Sequence, residues 1–373
     1  MARKKTKTSS PPPPLPSSQG QGRLRTRKLP VQTRIYRPTP ANLRRLASAL
    51  ARGDLVAVPS ETVYGLAADA LNVAACEAIF AAKRRPHHDP LIVHIASLRQ
   101  LHEIAMPSPE ALLLAKAFWP GPLTLVLPKR PHVPDLVTAG LPSVAVRMPA
   151  HPLFQKIIRL SQRALAAPSA NPFGYVSPTT AQHVKDNLQN RIKHILDGGP
   201  CKVGVESTII DLREPLHPVL LRAGGLPVEE IQRVLQRPVS LAHHVPPSPP
   251  PPLSLRSHAT QGQTAPGMLD HHYSPRTPVA LLTNLTPDFI KNLPPDEALL
   301  CLQPPKNLRH RMIHNLFYLS KTGDLNEAAR QLFDRLRMLD NGGWKKIHAE
   351  LPGQKKGLAP AIRDRLTRAA AKR

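Results

Sequence analysis

Two short apolar runs, Val56–Val58 and Leu91–Ile95, stand on either side of an alanine-rich segment, Val73–Ala82, and limit the fold more than any other stretch. Both runs are rich in β-branched residues, bounded by proline and too brief for helices, so they read as buried strands with a helix between them. The first runs into Pro59-Ser60-Glu61-Thr62, a turn of hydroxyls and a carboxylate at a strand end, where open α/β sheets place their ligand crevices. The helix runs into Lys83-Arg84-Arg85, and Pro86 stops it. Cations at that end offset the helix macrodipole, and the same cluster suits an anion.

The alternation continues from about Ala41 to Gln236. Ala41–Ala51, Glu110–Phe118, His151–Ser161, Thr180–Leu188 and Val228–Leu235 read as helices. Leu123–Leu127, Val144–Arg147, Ala164–Ala167, His194–Leu196, Thr208–Leu212 and Val219–Arg222 read as strands. This order implies an α/β fold. Several connections are too short for a parallel crossover, so the sheet is expected to be open, twisted and mixed.

Residues 1–36 contain basic residues and a proline run but no acid, which predicts a disordered tail. The first α/β domain is assigned to 37–237 and a proline-rich linker to 238–277. Within the linker, Val245–Leu253 reads as a stiff polyproline spacer. Ala265–Pro275, with the sequence APGMLDHHYSP, is too rich in special residues for a passive tether. Residues 278–373 form a small α/β carboxy-terminal domain, with strands expected at Val279–Leu282, Ala298–Leu302 and Phe317–Leu319. Its helices are Leu325–Leu339, whose apolar stripe marks a core face, and a basic terminal helix, Ile362–Ala371.

The charge balance, 51 Lys and Arg against 25 Asp and Glu, gives +26 and favours polyanionic partners such as RNA, DNA or nucleotide phosphates. The 3 cysteines are far apart, with no C-x-x-C pair, which argues for a reducing compartment and against a disulfide framework or a cysteine zinc site. His87-His88 and His271-His272 are adjacent pairs whose side chains point apart in regular structure, so neither reads as a metal chelate. No apolar run approaches the roughly 18 residues of a membrane span, and no secretory apolar region opens the chain, so a soluble, cytoplasmic protein is expected.

Polar residues gather at strand ends. Ser169 and Asn171 lie in a turn fixed by Pro168 and Pro172; Glu206-Ser207 precedes the strand at Thr208; Arg222-Ala223-Gly224-Gly225 follows the strand at Val219. With Lys83, Arg85 and Arg147, they suit a pocket for phosphate and carboxylate. Neither a G-x-x-x-x-G-K-[ST] loop nor a G-x-S-x-G elbow occurs, which disfavours P-loop and ordinary hydrolase readings.

Taken together, PSETVYGLAADA, KRRPHHDPLIVHI, WPGPLTLVL, SVAVRMP, PSANPFGYVSPT, GVESTIID, LRAGG, APGMLDHHYSP and AARQLFDRLRMLD resemble, in order, the threonylcarbamoyl-AMP synthase family in its long form. The resemblance implies a YrdC-like domain with a concave basic pocket. It implies synthesis of L-threonylcarbamoyladenylate from L-threonine, bicarbonate or CO2, and ATP with Mg2+, releasing pyrophosphate. The product would pass to downstream proteins that modify tRNA. The family's K-x-R and S-x-N signature falls on Lys83, Arg85, Ser169 and Asn171, with Lys83 and Arg85 as the candidate catalytic pair at the α-phosphate. Nucleotide contacts also fall on Ser143, Ser177, Arg222 and Tyr273, and L-threonine contacts on Ser60, His94, Arg147 and Ser207. No dedicated metal ligands are implied. Ser60 stands where threonine is usual, Asp89 where asparagine is usual, and Ala223 where proline is usual. Asp89 either meets the nucleotide or Mg2+, or caps a turn. The competing readings are a non-catalytic RNA-binding module and carbamoyl transfer in metal-centre maturation.

Overall fold

Apolar runs of a few residues cannot cover a helix face, and here they pair edge to edge. A computed structural model describes residues 31–242, 263, 265–266, 272–305 and 314–371. Its larger sheet uses β1 (Arg34–Tyr36), β2 (Val56–Val58), β3 (Gly65–Asp69), β4 (Ile92–His94), β5 (Leu123–Pro128) and β6 (Ser143–Arg147). It continues with β7 (Leu165–Ala166), β8 (His194–Leu196), β9 (Thr208–Asp211), β10 (Val219–Arg222) and β11 (Ser240–Leu241). The strand order is β1-β8-β2-β3-β7-β4-β6-β5-β9-β10-β11. Parallel pairs such as β4/β6 and β5/β9 alternate with antiparallel pairs such as β5/β6 and β9/β10, so the sheet is mixed as expected.

The smaller sheet holds β12 (Val279–Leu282), β13 (Glu297–Cys301), β14 (Leu316–Tyr318) and β15 (Lys346–Glu350), in the order β12-β15-β13-β14. All its pairs are parallel, which requires crossover connections; the helix Leu325–Asp340 supplies one of them.

Three differences from the sequence reading matter. β3 returns antiparallel from β2, so Pro59–Tyr64 is the turn of a hairpin and not an exit into the helix Val73–Lys83. Arg34–Tyr36, expected within the tail over residues 1–36, instead form β1, which pairs with β8 and buries Tyr36. β15, unforeseen, is an inner strand of the smaller sheet. Residues 1–30 and the polyproline run Val245–Leu253 lie outside the described residues. Among the described residues no helix is long and apolar enough to cross a membrane.

Register places the polar residues. His94 is the direct partner of Arg147 across β4/β6, and Thr124 is the partner of Arg147 across β5/β6, so the three share one face. Further along that face Ile92, Ala145, Val126 and Ile209 pack under Ala265 of the linker. The linker therefore lies on the sheet beside the polar row.

The carboxy-terminal lobe holds the loops that end the strands of the larger sheet. Leu325–Asp340 is capped by the Asp324 side chain, which accepts from Glu327 N at 2.7 Å, and buries Ala328, Leu332, Leu336 and Leu339. Its cluster also takes in Val63, Val176, Val205 and Tyr273 from the other lobe and the linker. Burying each large apolar side chain contributes about 1.5–3 kcal/mol, so this shared core is a substantial joint.

Gly204 marks its tightest point. It has φ +82, and a Cβ there would sit 2.3 Å from Arg330 Cα and 2.5 Å from Ala329 O. Gly204→Ala is expected to lower the urea midpoint by an amount equivalent to about 2 kcal/mol or more. An unchanged midpoint would show that loop and helix part without cost.

Candidate active site

A cavity of about 50 Å³ lies over the polar row, lined by Ser60, Thr62, Arg85, His94, Arg147, Ser169, Glu206, Ser207, Arg222, Pro266, His272 and Tyr273 among others. That is room for a few water molecules, and Pro266, His272 and Tyr273 of the linker form part of its wall.

On one side stands Arg147, 4% exposed at the end of β6. Its Nη2 lies 2.6 Å from Glu61 Oε1, Nη1 donates to Thr62 Oγ1 at 2.9 Å, and Nε donates to Gly121 O at 3.2 Å. These contacts fix the guanidinium plane, and Nη2, ion-paired with Glu61 but without a hydrogen-bond partner, keeps donors for a ligand. Burial opposes the charge on Glu61, but Arg147 outweighs it and holds that carboxyl below the usual range. His94 donates from Nδ1 to Ile92 O at 3.2 Å, which leaves Nε2 as an acceptor. Burial, and then Arg147, push its pKa down to about 3, so this imidazole is neutral at physiological pH. Ser207 Oγ lies 2.7 Å from Thr124 Oγ1 and accepts from Arg222 Nη2 at 3.2 Å. Ser60 is less available than expected. Its hydroxyl donates to Val63 O at 2.5 Å and accepts from the backbone of Thr62 and Val63, each at 3.2 Å. It shapes the hairpin turn, and it must rotate to meet a ligand.

On the other side is the K-x-R pair. The helix Val73–Lys83 stops because Arg84 turns left-handed, φ 55, which sends Lys83 and Arg85 to separate partners. Lys83 Nζ donates to Ser169 O and, at 2.6 Å, to Asn171 O. It does not line the cavity itself but stands behind Ser169, which does. Burial, and then Arg85, push its pKa well below the usual value, with Asp89 opposing. Arg85 donates to Asp89 O at 3.0 Å and Pro90 O at 2.7 Å, and lies 2.9 Å from Asp89 Oδ2. Asp89, fully buried, is thus the internal counter-ion of Arg85. Arg222 donates to Ser207 O at 3.0 Å and 3.2 Å and to Pro266 O at 3.1 Å. Among the described residues neither Lys83 nor Arg222 is paired with a carboxylate.

Of the remaining expected residues, Asn171 donates to Pro172 O at 2.9 Å and Tyr175 O at 2.7 Å, ordering the turn, while its Oδ1 is buried with no partner among the described residues. Ser177 lies behind the wall, donating to Glu206 Oε1 at 2.6 Å. Ser143 is also off the cavity, at the far end of β6; two alternations from Arg147 put it on the same face, its hydroxyl buried without a described partner.

Tyr273 has φ +63, a left-handed conformation unusual for a bulky residue. Its ring stacks on Phe333 at 5.5 Å, under the Arg365 guanidinium at 4.9 Å, which holds that conformation in place. Glu61, Thr62, Glu206 and His272 stood in segments quoted from sequence but were given no ligand contact of their own, and Thr124 was not singled out. Burial, and then the fields of Arg85, Lys83, Arg222 and Arg365, push the His272 pKa far down. Among the described residues no group of three or more His, Cys, Asp or Glu is arranged to hold a metal ion.

Over residues 48–224 the chain matches the Sua5/YciO/YrdC family model, described as "Telomere recombination". Over residues 226–371 it matches the model described as "Threonylcarbamoyl-AMP synthase, C-terminal domain". It is 43% identical over 342 residues to a threonylcarbamoyl-AMP synthase of Pyrococcus abyssi, covering 88% of this chain and 94% of the relative. It is 39% identical over 340 residues to the Bacillus subtilis threonylcarbamoyl-AMP synthase, covering 87% and 91%. The crystal structure of P. abyssi Sua5 complexed with L-threonine superimposes with TM-score 0.79 at 40% identity, over 91% of this chain and 98% of that one.

The Glu61–Arg147 pair gives a pH signature. Its carboxyl has a lower pKa folded than unfolded, so the pair stabilises the fold above the ordinary carboxylate range and ceases to do so as pH falls through and below it. The stability gap between wild type and Glu61→Gln should be about 3 kcal/mol at pH 7 and shrink between about pH 5 and pH 3. A gap that stays constant over that range contradicts the pairing.

Proposed function

The chain belongs to the threonylcarbamoyl-AMP synthase family, and on that premise we propose that it makes L-threonylcarbamoyladenylate from L-threonine, bicarbonate or CO2, and ATP, with pyrophosphate leaving. One observation carries the assignment of sides. A fixed arginine fork, a neutral histidine acceptor and hydroxyls line one part of a buried cavity, and two further cations line it elsewhere: Arg85, paired with Asp89, and Arg222, which has no carboxylate ion pair among the described residues.

The threonine carboxylate would take the donors that Arg147 keeps, a bidentate geometry that a lysine could not offer. His94 Nε2 accepts a hydrogen bond from the amine or hydroxyl. With a pKa near 3 it acts as an oriented acceptor and carries no charge. Loss of the ammonium proton frees the amine lone pair to attack the carbon of bicarbonate or CO2; with bicarbonate, a C–O bond breaks and water leaves. The carbamate oxygen then attacks the α-phosphorus of ATP, and the α–β bridging P–O bond breaks.

Nucleophile and target are both anionic, so the residues' task is to neutralise and align them. Arg85 and Arg222 line the cavity at this end, and Lys83 stands directly behind Ser169 and Asn171. ATP would arrive as its Mg2+ complex, with the ion held by phosphates and water; Mg2+ commonly binds in this way. The product, a mixed anhydride, suits delivery to proteins that transfer the threonylcarbamoyl group to tRNA.

The RNA-binding reading loses the support of the pocket, because Lys83, Arg85, Arg147 and Arg222 are each 7% exposed or less and offer no surface to an RNA backbone.

Purified protein should release pyrophosphate from ATP only when L-threonine and bicarbonate are both present. Arg147→Ala should lower kcat/KM for threonine by on the order of a hundredfold or more. Folded wild-type protein with no threonine-dependent release would overturn the proposal.

A further inference from the structure

One buried cation beside the cavity comes from the far end of the chain. Arg365 lies on the terminal helix Ala359–Ala370 and is 0% exposed. Its Nε donates to Glu206 Oε2 at 2.8 Å, its Nη1 meets Asp364 Oδ2 at 2.5 Å, and its guanidinium lies 4.9 Å over the Tyr273 ring. Glu206 in turn lines the cavity next to Ser207, with its other oxygen accepting from Ser177 Oγ.

A carboxylate in that position works against a nucleotide. Like charges a few ångströms apart in a desolvated site repel strongly, and an unpaired buried carboxylate is itself unfavourable. Nor can Glu206 swing away easily, because its loop is pressed from two sides. Gly204 abuts the backbone of Ala329 and Arg330, and Gly224 is so close that a Cβ would lie 2.4 Å from Glu206 O and 2.3 Å from Ser207 C. Gly225 N also donates to Glu206 O at 2.8 Å. With the loop backbone fixed and Oε1 held by Ser177 Oγ, the carboxylate stays beside the cavity and has to be neutralised there. Arg365 does this from the carboxy-terminal lobe, and the same guanidinium covers the linker tyrosine.

We propose that Arg365 is a positioning residue for the nucleotide. It neutralises and fixes Glu206, so that phosphates can enter beside Ser207 and Arg222, and it seats Tyr273 against Phe333. The carboxy-terminal lobe is then an electrostatic part of the nucleotide site as well as a packing partner. The identity of the ligand rests on the synthase reading above.

The test is calorimetric binding of MgATP and of L-threonine, measured separately on full-length wild type, Arg365→Met, Arg365→Lys, Glu206→Gln and the double variant Arg365→Met with Glu206→Gln, each checked by thermal melting. Arg365→Met should weaken ATP by about tenfold or more and L-threonine by much less. Arg365→Lys should retain most of the ATP affinity. The double variant should regain at least about threefold of what Arg365→Met loses, since the unpaired carboxylate is gone. A residue that only packs the helix would leave the double variant no better than the single one, and that result overturns the proposal. Wild type that binds ATP, with Arg365→Met equal to it, overturns this inference alone; wild type that binds neither ligand overturns the synthase reading and the inference with it. Should Arg365→Met not fold, Arg365→Lys with and without Glu206→Gln decides: the proposal requires Glu206→Gln to raise ATP affinity in the lysine background and fails if it does not.

Discussion

The site depends on buried positive charge that the protein does not balance with its own carboxylates. Arg85, Arg147 and Arg365 each have an acid, in Asp89, Glu61 and Glu206. Lys83 and Arg222 have backbone carbonyls, and in the case of Arg222 a serine hydroxyl, which orient a cation without cancelling its charge. Burying such a cation is unfavourable, and the protein tolerates it because the surrounding turns are otherwise fixed. Burial is the main cause of the depressed pKa values of Lys83 and His272, and neighbouring cations add to it. An anionic ligand relieves the charge imbalance, which is how a site can favour a triphosphate over water.

That arrangement needs rigid turns, and the two lobes provide them jointly. The larger sheet sets His94, Arg147 and Thr124 side by side through strand register. The turns beyond the strand ends carry Ser60, Ser169 and Ser207, and they are braced from outside. Arg337 donates to the carbonyls of Val176 and, at 3.2 Å, Ser177; Tyr175 donates to Asp340 Oδ2 at 2.6 Å. Val63, Val176 and Val205 sit in the core of the smaller lobe. Catalytic geometry on the first lobe is therefore held by packing on the second.

Most of this architecture was legible from local pattern. Strands with β-branched residues and helices with a clear apolar stripe, such as Val56–Val58 and Leu325–Asp340, stood close to where periodicity put them. β3 was missed because Gly65–Asp69, GLAAD, has poor strand propensity and is held by its neighbours β2 and β7. β15, Lys346–Glu350, was missed because lysine, histidine and glutamate break the apolar run of an inner parallel strand. Arg85, Arg147 and Arg222, which line the cavity, stood out in sequence because positive charge at the ends of helices and strands is a visible signal. The counter-ions were harder: Glu61 and Glu206 lie in the quoted motifs, yet a buried acid looks like a turn residue until its partner is known. Glu206 pairs with a residue 159 positions away, a separation no local reading spans. His272 was weighed only as half of a chelating pair, whereas its place beside Tyr273 was the informative feature. Asp89 could be read either way in sequence, and its 2.9 Å approach to Arg85 assigns it to the basic cluster as a counter-ion.

The charge deficit at Lys83 is the claim on which the account turns, and it can be measured without turnover. The melting temperature of wild type and of Lys83→Met is recorded with and without saturating MgATP, in the absence of L-threonine. If the phosphates supply the missing counter-charge, ATP raises the melting temperature of wild type by several degrees and that of Lys83→Met little or not at all. An equal rise in both proteins would contradict it.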